Sequence, residues 1–334
     1  MRRHLIVATV LFVATIAARA QTPSTATPES LLLAAKLAAG QDYAGTFLRI
    51  CVAPDNLPRG NAGQAGRGAA NAAPAARAVP DRATWYASPY KVFDNLYFIG
   101  TKIHSAWALT TTQGIIVIDT LFDYAIEPEI VDGLTKLHLN PRDIKYVLIS
   151  HAHGDHDQGA ALLQNRYGAK VVMGAADWTT TLQRPATAAG GVPKRDVVVD
   201  ADTKITLGDT TVNVIATPGH TPGTLSYIFP VKDAGRTLTV AYSGGTAFNF
   251  PRQAQAFAIY RDSQKKLADA ARAAGATILM SNHTEFDRAY DRVRLAQLPR
   301  AQGEKHPYET DTQTVQRYFE MTGNCAEAQR LLAN

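Results

Sequence analysis

Cysteine is scarce in this chain. Cys51 and Cys325 are the only two in 334 residues, which excludes a small domain scaffolded by disulfides. Lysine and arginine nowhere cluster with interleaved aromatics, so the basic face of a nucleic-acid binder is missing. Beyond its first residues the chain has no apolar run approaching the roughly 20 residues of a membrane-spanning helix. There is also no short internal repeat.

What is present begins at the amino terminus. Met1-Arg2-Arg3-His4 is a basic start, Leu5 to Ala17 is apolar, and Ala18-Arg19-Ala20 has the small-x-small form of a cleavage site. These features predict a signal peptide over residues 1–20, cleaved before Gln21, and a periplasmic or secreted protein with no membrane attachment after cleavage. Three of the 34 basic residues, Arg2, Arg3 and Arg19, lie in this leader, leaving 31 against 29 acidic and a net charge of +2. Charge therefore points to no particular partner. In an oxidising compartment Cys51 and Cys325 either pair or remain as two buried thiols.

Residues 21–84 read as an extension. It holds a short helix from Pro28 to Gly40, with proline near its start and glycine at its end, and a Gly/Ala-rich linker over 59–78 that is too poor in apolar bulk to pack. A large domain is expected over 85–334. Its pattern alternates short β-branched or aromatic runs with helical segments, as in layered α/β architecture. Leu96 to Ile99, Trp107 to Thr111, Ile115 to Asp119, Tyr146 to Ile149 and Lys170 to Met173 read as strands, with helices over Pro128 to Leu139 and Gln158 to Tyr167. A second run of strands covers Val197 to Val199, Lys204 to Leu207, Thr211 to Ala216, Leu225 to Phe229 and Thr237 to Tyr242. A helix over Arg252 to Ala274 and a last strand over Thr277 to Met280 follow.

The chemistry sits in His151-Ala152-His153-Gly154-Asp155-His156, directly after the strand candidate at Tyr146. Three imidazoles and a carboxylate leave one strand end together, where ligands gather in α/β sheets. His220 follows the strand ending at Ala216, and His283 follows the one ending at Met280. Three separate strands thus deliver histidine at their carboxyl ends, and zinc takes histidine nitrogen and aspartate oxygen readily. Five of the nine histidines fall to one site. Of the others, His4 belongs to the leader, His138 flanks a helix end and His306 lies in a polar loop. His104 has no assignment from sequence.

The His-x-His-x-Asp-His run, with His220 and His283, resembles the metallo-β-lactamase superfamily over roughly Tyr90 to Phe286. The resemblance implies an αββα sandwich with a dinuclear zinc site at the sheet edge. Relatives of the glyoxalase and nuclease type usually carry a metal-bridging aspartate where this chain reads Ser243-Gly244-Gly245. One β-lactamase subclass uses cysteine near that point and arginine in place of His156. What remains is similar to class B, subclass 3, which implies His151, His153 and His220 on one zinc and Asp155, His156 and His283 on the other. Three protein ligands per metal leave room for a shared hydroxide and a small-molecule substrate. The implied reaction is hydrolysis of the β-lactam amide, with Asp155 both ligating and orienting the hydroxide.

The chain departs from that pattern where relatives present serines to the drug's carboxylate. Here the stretch reads Gly244-Gly245-Thr246-Ala247, leaving Thr246 as the candidate substrate contact. A zinc hydrolase of another ester, lactone or amide is the alternative this departure keeps open. A non-catalytic zinc-binding protein is a third reading, opposed by the closed, four-ligand form that structural zinc sites tend to take.

Overall fold

The computed structural model describes residues 26–52 and 79–333. The expected leader, 1–20, and the expected linker, 59–78, lie outside the described residues.

Two sheets form the centre. The first has seven strands in chain order: β1 (Tyr90–Phe93), β2 (Leu96–Phe98), β3 (Trp107–Thr111), β4 (Gly114–Ile118), β5 (Ile144–Leu148), β6 (Lys170–Gly174) and β7 (Val197–Val199). The second runs in the order β12, β11, β10, β9, β8. Its strands are β8 (Thr203–Leu207), β9 (Thr210–Ala216), β10 (Leu225–Asp233), β11 (Arg236–Ser243) and β12 (Ile278–Ser281). Pairing is antiparallel from β1 to β4 and parallel from β4 to β7. In the second sheet only β11 and β12 run parallel.

Apolar side chains on both faces of the central strands explain the layering. Ile116, Ile118, Leu148 and Val172 join Tyr227, Phe229, Tyr242 and Met280 in the core between the sheets. Their neighbours Ile115, Val117, Val147 and Val171 point the other way, onto Ile130, Leu134, Leu163 and Trp178 of the outer helices. Strands buried on two sides read as continuous apolar runs rather than alternating ones. On the second sheet's outer face, Ile228, Ala241 and Leu279 meet the helices Pro28–Ala39, Ala254–Ala273 and Thr312–Leu332. The result is the αββα sandwich.

Three elements differ from the sequence-based expectation. Pro128 to Leu139 is not one helix: Asp123–Ala125 leads into a π-helical stretch, Ile126–Val131, before α-helix resumes over Asp132–Lys136. Pro128 has no N–H to give and its ring crowds the carbonyl one turn back, so the wider turn accommodates it. β10 was expected to stop at Phe229 but continues to Asp233. Its pairing with β9 ends at Ile228, so Pro230 falls where one edge of β10 is without a neighbouring strand. His306, expected in a polar loop, is buried, with its Nε2–H donating to Val92 O at 2.8 Å and its ring stacked on Phe93.

Cys51 and Cys325 are paired, with Cα atoms 5.2 Å apart. The bond ties the helix Ala44–Ile50 to the helix Thr312–Leu332 across a sequence separation of 274 residues. Replacing both cysteines by serine is expected to lower unfolding free energy by about 2–4 kcal/mol, read as a fall in the denaturation midpoint. An unchanged midpoint would show that the terminal helices dock without the crosslink.

Glu129, in the π-helical stretch, is fully buried. Its Oε1 accepts from Ala87 N–H at 2.9 Å, and its Oε2 meets no hydrogen-bond partner among the described residues. Burial pushes the carboxyl up to about 8. The stability linked to this group is therefore complete below the ordinary carboxylate range and lost as pH rises through about 8. Glu129→Gln is expected to stabilise the fold by roughly 1–3 kcal/mol at pH 9 and hardly at all at pH 5. Urea titrations at the two pH values check this, and equal effects would refute a buried titration.

Candidate metal centre

Four strand ends converge at one edge of the sandwich. β4 ends at Ile118 and delivers Asp119, β5 leads through Ser150 into His151, β9 leads through Thr217-Pro218-Gly219 into His220, and β12 leads through Asn282 into His283. His153, Asp155 and His156 come from the turn into the short helix Gly154–Asp157.

All six expected donors meet there, in two adjoining sets. His220 Nε2 lies 3.1 Å from His151 Nε2 and 3.2 Å from His153 Nδ1. In the other set, His156 Nε2 lies 3.2 Å from His283 Nε2 and 3.3 Å from Asp155 Oδ2, and His283 Nε2 is 3.2 Å from the same oxygen. Donors placed about 2.0–2.1 Å from one tetrahedral ion are separated by roughly 3.3–3.4 Å. Both sets are close to that spacing, so the residues fit divalent metals.

The backbone decides which nitrogen each ring turns inward. His151 Nδ1 donates to Gly244 O at 2.9 Å and His220 Nδ1 donates to Ala247 O at 2.7 Å. A carbonyl can only accept, so both rings carry hydrogen on Nδ1 and leave the Nε2 lone pair free for a cation. His156 Nδ1 faces Asp119 Oδ2 at 3.0 Å. That oxygen also accepts from Ser150 Oγ at 2.9 Å and Tyr242 OH at 3.2 Å, and Asp119 Oδ1 accepts from Ser150 N–H at 2.7 Å. Asp119 has φ of 59° and Leu121 of 64°, left-handed conformations that favour glycine.

The electrostatics suit the same role. Burial, reinforced by neighbouring imidazoles, holds His151 well below the ordinary histidine value and brings His220 down to about 3. Burial likewise brings His153 down to about 4. These rings are neutral donors at neutral pH. For Asp155 burial alone would favour the acid, but the charge on His156 and hydrogen bonds from His156 and His283 hold it well below its usual range. His156 is raised, because Asp155 and Asp119 outweigh the effect of its burial. A cation taking its Nε2 displaces that proton.

Glycine at 244 and 245 is a requirement of packing. A Cβ on Gly244 would sit 1.7 Å from Leu225 O, and one on Gly245 would sit 2.5 Å from His220 Cβ. No aspartate, cysteine or serine fits without moving β10 or His220. Thr246 is placed differently from the expectation. It is buried, and its hydroxyl lies 2.6 Å from Tyr318 OH and 3.2 Å from Ser281 Oγ. Tyr318 arrives on the helix Thr312–Leu332 and engages the Thr246 hydroxyl.

Several residues of the centre went unread in the sequence. Asp177 accepts from Ala152 N–H, Thr221 Oγ1 and Gly223 N–H, joining the two histidine loops. Asn282 Nδ2 donates to Gly244 O at 2.7 Å. Asp119 had one legible signal, its position at the end of an apolar strand. Asp119→Asn is expected to keep the fold but weaken metal binding at the His156 set by about 10- to 100-fold, measured by zinc titration against a competing chelator. Unaltered affinity would remove Asp119 from the orienting role.

The family model described as the metallo-β-lactamase superfamily matches residues 99–270, just over half of the chain. Among solved structures, the chain is similar to BJP-1, a subclass B3 metallo-β-lactamase of Bradyrhizobium japonicum. The two are 27% identical with a TM-score of 0.59, over 70% of this chain and 89% of that one. FEZ-1, the metallo-β-lactamase from Legionella gormanii, shares the fold at 24% identity and a TM-score of 0.61, over 71% of this chain and 93% of that one. A hydroxyacylglutathione hydrolase from Acidiphilium cryptum is 37% identical over 86 residues, 26% of this chain and 31% of the relative. The chain thus matches about a third of the length of such curated relatives.

Proposed function

The chain belongs to the metallo-β-lactamase superfamily and is a hydrolase of that fold, and on that footing we propose that it is a two-zinc enzyme opening the amide of β-lactams. The observation that carries the reading is the pair of adjoining donor sets at tetrahedral spacing. His151, His153 and His220 would hold one ion, and Asp155, His156 and His283 the other. Bound zinc supplies a Lewis acid for a carbonyl oxygen and brings the pKa of a coordinated water towards about 7.

The chain's own residues do the rest. Asp155, ionised at neutral pH, offers a carboxylate that accepts a hydrogen bond from the attacking water and so orients it. Gly244 O and Ala247 O hold the imidazoles of His151 and His220 against rotation. Asp119 takes the Nδ1 hydrogen of His156. These contacts prepay the ordering of the site before substrate arrives.

Action outside the cytoplasm is part of the proposal. It is supported by the basic and apolar pattern of residues 1–20 and by the Cys51–Cys325 disulfide, a bond that persists in oxidising compartments.

A second reading, hydrolysis of another ester, lactone or amide, is favoured by one observation. Thr246 is withdrawn into hydrogen bonds with Tyr318 and Ser281, and the glycines beside it bear no side chain to grip a carboxylate. Loss of one such charge-assisted contact lowers binding by about ten- to a hundredfold.

The mature, zinc-loaded protein is expected to cleave a chromogenic cephalosporin and to lose that activity on chelation, recovering it when zinc is restored. A side-by-side panel of cephalosporin, lactone and thioester decides the substrate class. Absence of cephalosporin turnover with turnover of the lactone or thioester would sink the β-lactam reading and uphold the second.

A further inference from the structure

One more imidazole faces the second donor set. His104 is 4% exposed and lies between β2 and β3. Its N–H donates to Thr101 Oγ1 at 2.8 Å and its carbonyl accepts from Thr101 N–H at 2.8 Å, so the turn closes on itself. His104 pairs with His283 in an isolated antiparallel bridge. Ser105 N–H donates to Asn282 O and Thr284 N–H to Ile103 O, each at 2.9 Å, on either side of it. Directly opposed residues in such a bridge project their side chains to the same face. The two rings accordingly stand edge to face with centroids 5.0 Å apart.

His104 Nε2 lies 3.5 Å from Asp155 Oδ2, the oxygen that His156 and His283 also approach. The donor atoms of His104, Asp155 and His283 all fall within 4.8 Å of one another. Its ring is 6.3 Å from that of His156, so the two imidazoles flank the Asp155–His283 edge from different sides. Nothing comparable stands beside His151, His153 and His220 among the described residues.

We propose that His104 is an additional protein ligand at the second metal position, where His104, Asp155 and His283 form a donor set able to take one ion, with His156 on the other side of the Asp155–His283 edge. With an imidazole available on either side of the Asp155–His283 edge, the second ion is the more tightly held of the two. The inference rests on metal binding by this centre and is independent of which substrate is cleaved.

The test uses the mature protein with zinc or cobalt(II) ions alone, comparing wild type with His104→Ala and His104→Gln. Metal content is measured after dialysis against graded chelator, and the visible absorption of the cobalt form is recorded. Thermal melting of each metal-free variant establishes that it folds. Wild type is expected to keep its more tightly held ion to chelator concentrations at least about tenfold above those that strip it from both variants, with the cobalt band of that ion altered in each. Unchanged retention with an unchanged band overturns the assignment. Weakened retention with an unchanged band also overturns it, placing His104 as a hydrogen-bond donor to Asp155. A wild-type protein that binds no divalent ion would overturn the metal reading itself, whereas a failed cephalosporin assay leaves this result standing.

Discussion

The crowding of donor atoms at the edge of the two sheets is the constraint on which the rest of the structure turns. Imidazole nitrogens and a carboxylate oxygen stand 3.1–3.3 Å apart in a largely buried place. Without cations, lone pairs at that spacing repel unless protons lie between them, and burial opposes protonation of most of these rings. The fold holds the groups together regardless, because His151, His156, His220 and His283 are anchored from behind. Two backbone carbonyls, Asp119 and the short bridge at His104 secure the rings, and the sandwich secures those anchors.

That division of labour explains residues that otherwise look like departures from the superfamily pattern. Gly244 and Gly245 lack functional side chains because the loop runs against Leu225 and His220, and that closeness is what brings Gly244 O and Ala247 O to the imidazoles. A loop bearing a bridging carboxylate would have to stand farther off. Thr246, next in line, is claimed by Tyr318 and Ser281. The same loop that anchors the imidazoles of His151 and His220 therefore carries no free polar side chain at 244–246.

The outer layers are tied to this centre at a distance. The helix Thr312–Leu332 carries Tyr318 to Thr246, packs on Ala254–Ala273, and is bonded through Cys325 to the segment preceding the first sheet. Glu129 represents the opposite case, a buried carboxyl with a single hydrogen-bond partner among the described residues, held in the turn that Pro128 widens.

Sequence alone determined the layered α/β class, most strands of both sheets and the six donors from His151 to His283. Those are local properties: two-sided burial writes itself as continuous apolar runs, and a strand end followed by histidine is visible in one dimension. Tertiary structure alone decided the pairing of Cys51 with Cys325, the withdrawal of Thr246 and the approach of His104 to Asp155. Each depends on a partner remote in the chain, 274 residues away for the disulfide and 72 for Thr246. Which group meets which at such separations is set by how the sheets stack, a matter on which neighbouring residues carry no signal.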